Sequence, residues 1–378
     1  MLHFKKLIFI AVSVIIYSCT TKIQSKENSN LLVYIGSASP TPGKGVASAH
    51  FNTETGNISN IAYSGDLAEA MFLHPDTINN KLYCIGTTLN PIDSSTIKSI
   101  TSYSVTPQSG ELSFQSQTRA LGSGPCFIEY NEKQKKILTA NYGSGNVCLF
   151  DDYNNKVRFK DSKQHHGSGP DESRQEAPHA HAIRVSPDNK FAYATDLGAD
   201  KIMIYKINSD KLQTVDSIAS EPGAGPRHID FSPSKEIMAV VNELNCTVTT
   251  YKKDSLGRFK KEICTATMLP DTFAGFAKAA DIHFSPDNRF IYASNRGLNS
   301  IVVYKVTEGN LQLVEIFTNG INWPRNFTLS PDGHYILVAN KNANNITVYE
   351  RNSNTGKIES IISKTEVETP VCIRFFSK

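Results

Sequence analysis

The sequence has almost no excess of charge of either sign. Its 378 residues carry 39 Lys and Arg against 36 Asp and Glu, a formal net charge of +3. Removing Lys5 and Lys6, which fall in the leader described below, lowers it to +1. The electrostatic footprint of a nucleic-acid binder is missing, so no nucleic-acid partner is expected. None of the seven cysteines forms a Cys-x-x-Cys pair or a closely spaced Cys/His set, which excludes a zinc-thiolate site. Also missing are a Gly-x-Ser-x-Gly elbow, a His-Glu-x-x-His helix, a Walker-type loop and a Gly-x-Gly-x-x-Gly turn opening a helix. What is present is ordinary for a folded chain: 39% apolar residues, 23 Gly and 17 Pro.

The N-terminus reads MLHFKKLIFIAVSVIIYSC, with two lysines ahead of a ten-residue run from Leu7 to Ile16 that includes one serine. Such a run is too short to cross about 30 Å of hydrocarbon as a helix. Basic residues, an apolar core and small residues in this order make residues 1–18 a signal peptide. The order Ile16-Tyr17-Ser18-Cys19 resembles a loose bacterial lipobox, so Cys19 is expected to be lipidated. Residues 19–30 would then be a polar tether, and the acyl chains the protein's only membrane contact. An exported bacterial lipoprotein, periplasmic or anchored at the outer membrane, is the expectation. The other six cysteines mostly sit in apolar strand patterns and are expected to be buried thiols.

From residue 68 onward the chain repeats itself. AHAIRVSPDNKFAYATDLGADKIMIYKI from Ala180, PRHIDFSPSKEIMAVVNELNCTVTTYKK from Pro226, AADIHFSPDNRFIYASNRGLNSIVVYKV from Ala279 and PRNFTLSPDGHYILVANKNANNITVYER from Pro324 are copies of one unit. Weaker copies start at Ala68 and Pro125, and a stub starts at Pro370. The successive starts differ by 57, 55, 46, 53, 45 and 46 residues, a period that points to a propeller or solenoid. Within a unit apolar residues alternate, as at Ile282 and Phe284 or Ile301 and Val303, with Pro-Asp-Asn or Pro-Asp-Gly between the first two runs. Alternation with turn chemistry predicts antiparallel strands, four to a unit, which is a propeller blade. The stub supplies a first strand and residues 31–66 supply a second, third and fourth. Joined, they complete a seventh blade and close the ring without a free sheet edge. Residues 31–378 are therefore expected to form one all-β, seven-bladed propeller with essentially no helix.

The register of the repeat gathers charge. The residue six before each turn proline, where the first strand opens, is Glu69, Cys126, His181, Arg227, Ala280 or Arg325. The residue ten after it, just past the second strand, is Leu197, Glu243, Arg296 or Lys341, with Tyr142 in the divergent blade. Both columns lie at the end of the blade opposite the turn. One position earlier stand Asn141, Asp196, Asn242, Asn295 and Asn340, short polar side chains suited to capping the strand end. His179 flanks the first column in the run Pro178-His179-Ala180-His181. The preceding stretch from His165 to Pro178 is long and polar, and reads as a lid or rim over the same mouth.

Arginines beside one carboxylate and two imidazoles suit attack of water on an ester carbonyl. Glu243 or a histidine would be the general base, and Arg227 and Arg296 would hold the anionic tetrahedral intermediate. The surplus of positive groups implies a small anionic ligand, with Arg325 and Lys341, and the neighbouring Asn242 and Asn295, as substrate-binding candidates.

The segments RQEAPHAHAIRVSPDNKFAYATDLGADKI (174–202), GAGPRHIDFSPSKEIMAVVNEL (223–244), SPDNRFIYASNRGLNSI (285–301) and PRNFTLSPDGHYILVAN (324–340), with residues 122–147, resemble the seven-bladed propeller lactonase family. That family holds bacterial 6-phosphogluconolactonases and, more distantly, fungal carboxy-muconate lactonizing enzymes. The resemblance covers residues 31–378, and the PHAH, GPRH, VNEL and SNRG segments are specific as a set. It implies a catalytic set of His179 or His181, Arg227, Glu243 and Arg296, and hydrolysis of 6-phosphoglucono-1,5-lactone with no metal or cofactor. An exported protein would not meet a cytosolic phosphorylated intermediate, so an unphosphorylated sugar lactone stays open as substrate. A muconate-type cycloisomerase and a non-catalytic propeller binding carbohydrate or protein are the alternatives. A calcium-dependent lactonase is disfavoured by the arginines among the oxygen ligands. The chain is expected to act as a monomer.

Overall fold

The structure, a computed structural model, describes residues 29–89 and 95–377. The expected signal peptide and Cys19 lie outside the described residues. Seven four-stranded antiparallel sheets make up the fold. Their innermost strands, here strand A of blades 1 to 7, are Glu69–Asp76, Pro125–Asn131, Ala180–Val185, Pro226–Phe231, Lys278–Phe284, Pro324–Leu329 and Pro370–Phe376. These begin within one residue of the starts read from the repeat. Strand A of blade 7 pairs with Asn30–Ser37, followed outward by Val46–Asn52 and Ile58–Tyr63, so the two ends of the chain close one sheet as expected. Among the described residues the helical content is one short 3-10 turn, Lys341–Ala343.

The Ser-Pro-Asp turn works by local hydrogen bonding. Ser186 Oγ donates to Asp188 Oδ1 at 2.7 Å and accepts the Phe191 amide at 3.1 Å, and Ser285 repeats both bonds with Asp287 and Phe290. The turn forces one residue into the left-handed region: Asn189, Asn288 and Gly333 have φ of 60°, 63° and 73°. Asn and Gly tolerate that conformation, which explains the Pro-Asp-Asn and Pro-Asp-Gly signature. In five blades strand C buries a tyrosine, namely Tyr103, Tyr205, Tyr251, Tyr304 and Tyr349. Where such a hydroxyl is buried it finds a polar partner: Tyr349 donates to the Asn319 carbonyl at 2.9 Å and Tyr205 bonds His165 at 2.9 Å.

Neighbouring blades are joined by polar side chains of strand A. Glu129 accepts the Val185 amide at 2.8 Å, Asp230 the Phe284 amide at 2.8 Å, and Asn326 Oδ1 the Ile373 amide at 2.7 Å. These bonds hold the inner strands side by side around the channel and so fix the spacing of whatever stands at its mouth. The six cysteines from Cys84 to Cys372 are unpaired thiols, five of them buried and Cys264 half-buried.

Candidate functional site

All seven A strands slip register against strand B close to their first residues. In blades 2, 3, 4 and 6 the unpaired residue is Cys126, His181, Arg227 and Arg325, each facing no partner across the ladder. A bulge re-aims the side chain it carries. Here it delivers the first charged column to the channel. Blade 1 differs from the alignment on its proline. Its strand A runs on through Pro75, which pairs with Leu82, so the bulged residue is Met71 and Glu69 sits two positions nearer the mouth.

A cavity of about 390 Å³ opens at this end of the channel, lined by Glu69, Thr87 and Lys98 from blade 1, Cys126 and Tyr142 from blade 2, His181, and then Arg174, Glu243, Arg296 and Arg325. The second column reaches it because each residue just past strand B is tied back to the entry of strand A. Glu243 N–H donates to the Gly225 carbonyl at 2.7 Å, and Tyr142 N–H to the Gly124 carbonyl at 2.9 Å.

Glu243 is the hub. Its Oε2 accepts Arg227 Nε at 2.9 Å and Arg296 Nη2 at 2.8 Å, and its Oε1 accepts Arg174 Nη2 at 2.7 Å. Glu243 and Arg227 are 3% and 1% exposed, so the cluster is shielded from solvent. Burial alone would raise the Glu243 carboxyl, but the facing charges of Arg296, Arg227 and Arg174 outweigh it and hold it well below the usual carboxylate range. Both its oxygens are taken up by guanidiniums. Its three guanidiniums leave a surplus of two positive charges, to which Arg325 adds a third. Burial and the charges of Arg296 and Arg325 pull Arg227 down to about 9, still protonated at neutral pH.

The two histidines of the Pro-His-Ala-His run part company. His181 lines the cavity, with its ring edge-on to Tyr142 and to His228, and its Nδ1 lies 3.9 Å from Cys126 Sγ. Burial, then Arg227, His228, Arg325 and Arg296, depress its pKa well below 6.5, so the imidazole is neutral at physiological pH. His179 stacks flat on Tyr142 at 4.3 Å between ring centroids, and its nitrogens are engaged by the Tyr142 carbonyl at 2.8 Å and Glu176 at 3.2 Å. It does not line the cavity. Burial also pushes the Cys126 thiol up to about 11, which keeps it protonated.

Of the other residues singled out by register, Arg325 is on the cavity wall and Lys341 is not, although burial, Arg325 and Arg296 lower the Lys341 pKa. Asn242 and Asn295 are also off the wall. Asn242 Nδ2 donates to Thr247 and Thr249 at 2.8 and 3.1 Å. Asp196 and Asn340 cap in the same manner: Asp196 Oδ1 accepts the His179 and Ala199 amides, and Asn340 Oδ1 accepts the Asn322 amide.

Arg174 was not legible as a site residue. It lies in the stretch between His165 and Pro178, outside every repeat copy, so no column contains it. The stretch is held down as a strap: His165 bonds Asp196 at 2.6 Å, and buried Gln175 donates to the Leu197 carbonyl at 2.8 Å. Arg174 then bridges Glu243 and the Tyr142 hydroxyl, the latter at 3.2 Å. Thr87 and Lys98 were missed because they stand on strands B and C of blade 1, which the register argument did not follow.

Comparison with known proteins gives a consistent picture. The family model described as a seven-bladed beta-propeller lactonase matches residues 32–375. A 6-phosphogluconolactonase of Bacillus subtilis is 31% identical over 351 residues, spanning 90% of this chain and 97% of the relative. A Bacteroides uniformis protein of solved structure, provisionally named a 6-phosphogluconolactonase, is 32% identical with a TM-score of 0.83, covering 92% of this chain and 100% of the other. The periplasmic gluconolactonase of Pseudomonas aeruginosa superposes with a TM-score of 0.84 at 26% identity, over 92% of this chain and 99% of that one.

Proposed function

Since the chain belongs to the seven-bladed beta-propeller lactonase family, we propose that it hydrolyses a sugar lactone, glucono-1,5-lactone or its 6-phosphate, at the cavity over His181. The observation that carries this reading is the pairing of a neutral, buried imidazole with a wall of arginines around one small cavity. His181 accepts a proton from water as the water oxygen bonds to the lactone carbonyl carbon. Arg296 and Arg325 meet the negative charge that develops on the carbonyl oxygen. When the tetrahedral intermediate collapses, the ring C–O bond breaks and the leaving alkoxide takes the proton back from His181. The depressed pKa of His181 favours that return. Glu243 is bound by three guanidiniums and acts as the anchor that fixes Arg296 in place, rather than as the base. The phosphorylated substrate is supported by the Bacillus relative, and the neutral one by the Pseudomonas relative and by the leader expected from the sequence of residues 1–18.

The test is a pH-stat assay of residues 20–378 with each lactone, freshly dissolved and corrected for spontaneous opening. Acceleration of either lactone that disappears in His181→Asn is the expected result. No acceleration of either would remove the reading.

A further inference from the structure

The cavity wall three blades away from Glu243 has a different chemistry from the arginine side. Glu69 Oε2 accepts the Thr87 hydroxyl at 2.6 Å and Lys98 Nζ at 3.2 Å, while Lys98 Nζ also donates to Thr87 Oγ1 at 2.6 Å. All three residues line the cavity, and none of the three arginines there, Arg174, Arg296 and Arg325, is within ion-pairing distance of Glu69 among the described residues. Blade 1 is built to place them. Its strand B is longer than those of blades 2 to 6, Lys81–Leu89, and so carries Thr87 up to the mouth. Gly86 allows strand B to press against strand A there: a Cβ on it would fall 1.8 Å from the Glu69 carbonyl oxygen.

We propose that Glu69, Lys98 and Thr87 form a subsite for adjacent hydroxyl groups of the substrate, which restricts the enzyme to polyhydroxylated aldonolactones. The proposal rests on the lactone-hydrolase reading and deepens it. A carboxylate can only accept and an ammonium can only donate. A ring hydroxyl does both, so a vicinal diol can give one proton to Glu69 and take one from Lys98. Both internal bonds of Glu69 use Oε2, which leaves the lone pairs of Oε1 for the ligand. With the carbonyl at Arg296 and Arg325, the hydroxyl-bearing carbons lie toward blade 1. A hydroxyl-free lactone would strip water from Glu69 and Lys98 and return nothing. A lactone bearing a second carboxylate on that side would meet the Glu69 charge. Discrimination therefore comes from repulsion and unmatched desolvation as well as from attraction.

The test measures binding of two open acids by calorimetry: D-gluconate, which carries the adjacent hydroxyls, and 5-hydroxypentanoate, which keeps only the one on C5. The native protein should bind gluconate about ten- to a hundredfold more tightly. Glu69→Gln and Lys98→Met, each checked for an unchanged circular-dichroism spectrum, should both erase that preference. Equal affinities in the native protein, binding of neither acid, or a preference surviving in both variants would overturn the subsite. Turnover is scored separately. A protein with the Glu69-dependent preference that opens neither gluconolactone nor its phosphate would keep the subsite and lose the hydrolase reading.

Discussion

Arg174 Nη2 stands 2.7 Å from Glu243 Oε1 across 69 residues of chain, and so ties the strap over the mouth to the charged centre beneath it. Glu243 thereby holds guanidiniums from the strap, from strand A of blade 4 and from the end of strand B of blade 5. The carboxylate is a structural pivot and an electrostatic one at once.

Glu243→Gln should therefore do more than stop catalysis. Buried Arg227 and Arg296, with half-buried Arg174, would be left around a neutral amide, and breaking a buried pair of this kind costs about 3–5 kcal/mol. Urea unfolding should show that loss together with loss of turnover. Full activity with native stability would remove Glu243 from the site.

The two histidines separate by substitution. His181→Asn should reduce kcat by about 10²–10⁴-fold, the usual range for a general base, with little change in melting temperature. His179→Gln breaks the stack on Tyr142 and should lower stability while keeping kcat within about tenfold of native. The reverse pattern would reassign the base.

Activity and stability should respond differently to acid. His181 and His228 are held neutral in the fold, His181 well below 6.5 and His228 at about 3, chiefly by burial and then by Arg227. The unfolded chain takes up those protons first, so stability falls as pH drops below 6.5, by up to about 1.4 kcal/mol per pH unit for each histidine. Glu243 adds to the decline below 4.5, because the unfolded chain takes up that proton while the arginines still hold the folded carboxylate ionised. Turnover needs neutral His181 and should stay level through pH 6.5. Melting temperatures and initial rates between pH 4.5 and 8 test both statements, and a rate that falls with an inflection at 6.5 would contradict the second.

Asn340→Ala should cost about 1–3 kcal/mol, because the Asn322 amide loses its acceptor and Thr347 and Asn345 lose a donor. Thermal unfolding with turnover measured alongside checks it. A large loss of activity at unchanged stability would move the Asn column from capping to chemistry.

The repeat made most of this architecture readable. A Ser-Pro-Asp turn recurring with alternating strands sets blade starts to within a residue, and the stub at Pro370 announces closure. The charged columns were readable for the same reason, since a bulge recurs at one place in each strand A. What escaped lay where repetition stops. Arg174 is on an insertion, and the pairing of Pro75 shifts Glu69 by two residues from its column. The difference between His179 and His181 escaped too, because period two puts residues two apart on one face, and the bulge at His181 breaks that alternation just as the strand begins at Ala180.

Closure by strand A of blade 7 also decides from which side the ring is held. Leu32 pairs with Phe376 and Ser37 with Pro370, so the chain enters at the end where the Ser-Pro-Asp turns lie. Ser29 and Asn30 accordingly border a hollow with Thr77, Pro331 and Asp332. The arginine-lined mouth lies at the other end of the channel, so the segment that opens the described chain and the cavity are on opposite faces of the ring.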